Sequence, residues 1–172
     1  MKRMLCLLLA LGVSFVSVAQ KLQLTKAKVK RKAIYSSALL TPPEVFAKMT
    51  SGLSVQQLWM TYDKSLWIKK IIRNSYNSAH PDTLLCVDTK ADKLEVLRSD
   101  SNAFLLKADI TSRRVAFGYD MRIGTSKVTF CRLLKVPATY DRYRFGDECT
   151  TLLFTFRQGV LADVSYQGID CN

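Results

Sequence analysis

The 172-residue chain is short of the residues on which most catalytic and metal chemistry is built. It has one histidine, His80, and its five cysteines are widely spaced. Without a C-x-x-C pair or a second imidazole it lacks the ligand spacing of a zinc site. A serine hydrolase would need His80 to meet a serine and an acid. The Gly-x-Ser-x-Gly elbow that often carries such a serine is absent. Nothing points to a cysteine nucleophile beside His80. The stretch Asp88–Asp92 lacks both the glycine and the terminal glutamate of a calcium loop. Only a two-carboxylate site is left open, because any two of the 14 acids can meet in a fold. No catalytic residue, metal or cofactor is expected. His80-Pro81-Asp82 taken alone is the J-domain signature, but a strand-like run follows it, and a turn is the better reading.

Beyond residue 19 there is no apolar run approaching the roughly 20 residues that span a bilayer. The run before it has the parts of a secretory signal. Lys2 and Arg3 precede an uncharged apolar core, Leu5 to Val18, and Ser17-Val18-Ala19 offers small residues for cleavage before Gln20. Cys6 lacks the small residues a lipobox needs before its cysteine. The chain is therefore expected in the periplasm or secreted, with no membrane span in the mature part. A bacterial source fits the compact signal.

Export leaves Cys86, Cys131, Cys149 and Cys171, an even number in an oxidising compartment. The expectation is two disulfides, Cys149–Cys171 and Cys86–Cys131, among three formal pairings, with one pair left as buried free thiols as the plainer alternative. The first would close a loop worth about 3 kcal/mol in the chain-entropy model.

Acid is also missing from the start of the chain, where the first is Glu44, against 26 Lys and Arg overall and a net charge of +12. Lys26, Lys28, Lys30, Arg31 and Lys32 crowd a basic arm over residues 20–40. Alternation would place Lys26, Lys28, Lys30 and Lys32 on one face of an extended backbone. The arm is expected either to engage an anionic surface or to be an idle solvated tail. Tyr140, Arg142 and Arg144 alternate in the same way and form a second candidate basic face, with an ordinary two-sided strand as the plainer alternative. With intracellular nucleic acid set aside by export, the expected partner is an anionic envelope component or a protein.

From residue 41 the pattern is that of an ordered domain, 41–172. Thr41-Pro42-Pro43-Glu44 opens a short helix with Val45, Phe46 and Met49 inward. Ser54 caps a second helix carrying Val55, Leu58, Trp59 and Tyr62. Core packing is the expected role of Trp59 and Trp67, with exposed binding aromatics as the alternative. Leu66–Arg73 reads as helix or strand. Strands are expected at 83–88, 94–98, 103–110, 115–119, 140–145, 151–157 and 160–166, with Thr111-Ser112-Arg113 as a hairpin connection and Arg157-Gln158-Gly159 as the last turn. Phe130, Leu133 and Leu134 stripe a third helix that Pro137 ends. One-sided burial in the last strands predicts an α+β fold, an antiparallel sheet of about six strands with two or three helices on one face.

Gly52-x-Ser54-x-x-x-Leu58 and Gly124-x-Ser126-x-x-x-Phe130 repeat one phrase 72 residues apart. The repeat admits two fused helix-plus-sheet units, 41–122 and 123–172. Ile123-Gly124-Thr125-Ser126-Lys127, the helix to Pro137, and Leu153-Phe154-Thr155-Phe156-Arg157-Gln158-Gly159-Val160-Leu161 resemble the small envelope proteins of the SmpA/OmlA type, which share a fold with the β-lactamase inhibitor protein family. Thr125 replaces that family's usual Met, and Lys135-Val136-Pro137 lacks its Gly. The resemblance implies an exported, non-enzymatic interaction module. An inhibitor or immunity-type protein, blocking an enzyme through its sheet face, is the second expectation. A hydrolase with an unrecognised site is a remote third.

Overall fold

The computed structural model describes residues 34–36, 42–74, 80–99, 102–146 and 149–168. All belong to one unit, Ala33–Asn172. In chain order this unit has β1 (Ile34–Ser36), α1 (Pro43–Thr50), α2 (Val55–Thr61), β2 (Trp67–Ile72), β3 (Asp82–Asp88), β4 (Asp92–Ser99), β5 (Asn102–Ile110), α3 (Lys127–Leu134), β6 (Arg142–Gly146), β7 (Thr151–Arg157) and β8 (Val160–Gln167). The strands make one eight-stranded sheet in the order β1-β6-β7-β8-β5-β4-β3-β2. Every pairing is antiparallel except β1 with β6. The fold is thus α+β with a mixed sheet.

The helices start where their sequences allow. Pro43 takes the first helical position of α1, where its missing N–H costs no bond. Ser54 and Ser126 cap α2 and α3 by accepting from the amides of Gln57 and Thr129. Lys135 ends α3 in the left-handed conformation, ahead of Pro137. Gln158 and Gly159 both have positive φ, as the tight β7–β8 turn requires.

Alternation along the strands puts Val87, Leu94, Ala108, Leu152 and Phe154 on one face, where they meet Met49, Leu58 and Phe130 from the three helices. Phe130 has no exposed surface and packs its ring 4.9–6.2 Å from Tyr143, Phe145, Phe154 and Phe156. Burying one such side chain stabilises by roughly 1.5–3 kcal/mol.

The structure departs from the sequence expectations in four places. There are eight strands rather than about six. Leu66–Arg73 resolves as β2, and Ile34–Ser36, within the expected arm, adds a parallel edge strand. Residues 115–119 are not a strand but a buried loop leading into a short 3-10 turn at Gly118–Asp120. There Gly118 lies so close to the backbone of Lys48 and Met49 that a Cβ would clash at 2.3 Å, and Tyr119 and Asp120 both take positive φ. Thr111-Ser112-Arg113 does not turn into a neighbouring strand, because β5 pairs next with β8. Finally, the cap of α1 is Pro42, with no side-chain hydrogen bond, and Thr41 lies outside the described residues.

Candidate functional site

Of the expected basic residues, Lys26, Lys28, Lys30, Arg31 and Lys32 lie outside the described residues. Arg142 and Arg144 are exposed on β6, opposite Thr155 and Leu153 of β7 and on the face away from the helices. The Arg144 guanidinium donates to Thr151 Oγ1 at 3.1 Å. Tyr140 does not join them. It is half-buried, its ring 5.5 Å from Tyr35 and 6.3 Å from Tyr143, because it precedes the strand and its alternation does not reach back that far.

Residues 1–32 hold eight of the 26 Lys and Arg and none of the 14 acids, so most of the excess charge precedes the folded unit. Within that unit Asp88, Asp109, Asp120, Asp141 and Asp163 sit 2.9–3.7 Å from Lys93, Lys107, Arg122, Lys127 and Arg157. Surface pairs of this kind contribute about 0–1 kcal/mol to stability. Their larger effect is to cancel charge locally. Arg142, Lys64, Lys69 and Arg98 have no such carboxylate among the described residues, and the same holds for cations elsewhere on the unit such as Lys90, Arg113, Arg114 and Arg132.

The expected Cys86–Cys131 bond is not formed, and both are buried free thiols. Cys86 is on β3, whereas Cys131 on α3 contacts the Tyr143 hydroxyl of β6 at 3.3 Å. Five strand steps of about 4.8 Å put roughly 24 Å between β3 and β6, far beyond the reach of a disulfide. Burial pushes the Cys86 thiol above its usual range, and Lys70 opposes this only in part. Cys149 is disulfide-bonded. Cys171, its expected partner, lies outside the described residues.

Two features were not singled out from sequence. The first is Asp92, 2% exposed at the start of β4. Its carboxylate accepts from the Tyr62 hydroxyl at 2.9 Å, the Ser112 hydroxyl at 2.5 Å, and the Thr111 and Ser112 amides at 2.9 Å each. Burial first, then the hydrogen bond to Asp92, holds the Tyr62 phenol well above its ordinary pKa, so it remains a donor. With four donors satisfied, Asp92 ties the end of α2 and the loop after β5 to the sheet.

The second is a cleft on the helix side of β2–β4. Trp59, Lys64, Trp67 and Leu85 line a cavity of about 280 Å³. Leu85 is also a wall of a neighbouring cavity of about 350 Å³, with Lys69, Pro81, Thr83 and Arg98. Register explains the grouping: Lys69 pairs with Leu85, and Thr83 lies between Ile71 and Arg98, all on the face that carries Trp67. Trp59 is 42% exposed and so is not the core residue expected, while Trp67 is half-buried. Trp67 Nε1–H is buried without an acceptor, which costs about 1–3 kcal/mol if left so. A helical stripe cannot distinguish these roles, because Trp59 sits at the border of the apolar face of α2.

No family model, curated protein or solved structure matches the chain. The geometry therefore stands alone. It offers exposed Arg142 and Arg144 on β6, exposed Lys69 and Arg98 beside the tryptophan cleft and, among the described residues, no cluster of three His, Cys, Asp or Glu that could hold a metal.

Proposed function

We propose that this is an exported, non-catalytic binding protein whose basic surface engages an anionic partner. The observation that carries the reading is the pattern of charge matching. Asp88, Asp109 and Asp163 are met by neighbouring cations, whereas among the described residues Arg142 has no such carboxylate and Arg144 donates to Thr151. Residues 26–32 carry five further basic groups. Ser54 and Ser126 cap helices that each precede an antiparallel meander, β2–β5 and β6–β8, which supports reading the unit as two fused helix-plus-sheet units. That arrangement fits the resemblance to small envelope interaction modules.

The test is a pull-down from envelope extract at low and high salt, with the protein and its Arg142→Glu/Arg144→Glu variant. Recovery of lipid or glycan at low salt is expected to vanish at high salt and to fall several-fold in the variant, since exposed charges are screened within about 10 Å at 0.1 M salt. A second reading, an inhibitor acting through its sheet face, draws on the exposed Ile68 and Phe104 on the side away from the helices. Recovery of one protein at both salts would favour it and overturn the first.

A further inference from the structure

We infer that the Trp59–Trp67 cleft is a binding site for an acidic oligosaccharide of two or three rings. The aromatic end offers a flat apolar surface, an exposed Trp59 beside Trp67 with Leu85 between the two cavities. The polar end offers Lys69, Thr83 and Arg98 and, among the described residues, no carboxylate in its lining. The row of Trp67 and the row of Thr83 and Arg98 are four residues apart along the strands, about 13 Å. A ligand bridging them needs an apolar ring face at one end and a carboxylate or sulfate at the other. The planar Arg98 guanidinium suits such groups because it can donate two parallel hydrogen bonds.

Size selects the class of ligand. Small-molecule pockets run from about 300 to 1,000 Å³, so the two cavities together hold a few rings and admit no folded partner. Aromatic faces beside cations also suit single-stranded nucleic acid. The choice of glycan over nucleotide rests on the export reading, since outside the cell ring-bearing anions are chiefly glycans.

Trp59 and Trp67 are the only tryptophans in the chain, so their emission reports on this cleft alone. The experiment is a fluorescence titration of the purified protein with a sulfated heparin tetrasaccharide at about 0.15 M salt. A saturable change in emission is expected. Cellotetraose, with like rings and no charge, is expected to bind at least about tenfold more weakly, the scale of one charge-assisted hydrogen bond. Lys69→Glu/Arg98→Glu should weaken tetrasaccharide binding by at least the same factor. If that variant melts early, Arg98→Gln carries the test. Arg142→Glu/Arg144→Glu should leave this titration unchanged while reducing the pull-down, so either proposal can fail without the other. No emission change, equal binding of cellotetraose, or undiminished binding by both cleft variants would overturn the site. Tighter binding of tetrathymidylate than of the tetrasaccharide would overturn the glycan assignment.

Discussion

At the scale of the residue, Asp92 is the most consequential polar group in the described fold. Its partners are 19, 20 and 30 residues away in sequence, in a loop and at the end of α2. Asp92→Ala would leave the Tyr62 and Ser112 hydroxyls and the Ser112 amide without an acceptor, while the Thr111 amide would keep the Ala91 carbonyl. The expected cost is on the order of 3–5 kcal/mol in urea unfolding, against about 1–2 kcal/mol for Tyr62→Phe, which removes one donor and leaves three. A loss under about 1 kcal/mol for Asp92→Ala would show that water replaces the carboxylate freely. Sequence reasoning could not find this role. Thr89–Lys93 is a polar cluster with the local look of any surface turn, and burial of its last acid depends on what folds over it.

At the scale of the element, caps and core packing contribute unequally. α2 and α3 have seven and eight residues, too short to hold together alone in water. Ser54→Ala and Ser126→Ala are each expected to cost about 1 kcal/mol, and Phe130→Ala about 3–5 kcal/mol, because it empties the centre of a cluster of four rings. Thermal unfolding of the three variants checks the ranking; equal losses would mean that the cavity collapses. The caps were legible because a serine three residues before the amide that donates to it is a local pattern. The stripe of Phe130, Leu133 and Leu134 was legible for the same reason. β1 was not: three residues, Ile34-Tyr35-Ser36, make a strand only because β6 offers an edge and Tyr35 finds Tyr140 and Tyr143.

At the scale of the whole folded unit, two antiparallel meanders meet where β5 pairs with β8 over Lys107–Ile110. The core does not divide there. Leu94 and Ala108 from one side and Leu152 and Val164 from the other belong to one buried cluster. The unit should therefore unfold in one step. Both tryptophans lie before the seam, so urea unfolding followed by their emission is to be compared with hydrogen exchange of the β7 amides, beyond it. Coincident transitions are expected; two midpoints would mean that the halves are separately stable.

The basic bias and the single histidine were open to inspection in the chain itself, since they are properties of composition. Two Arg at alternate positions of a β-strand also had to share a face once Arg142–Gly146 formed one, since side chains alternate across it. Sheet order could not be read this way. It set β3, which carries Cys86, five strand steps from β6, whose Tyr143 contacts Cys131 of α3, and so made free thiols of an expected bond. It also set Lys69 of β2, Thr83 of β3 and Arg98 of β4 beside two tryptophans. Pairing partners are chosen by burial across the whole sheet, which no local stretch of sequence contains.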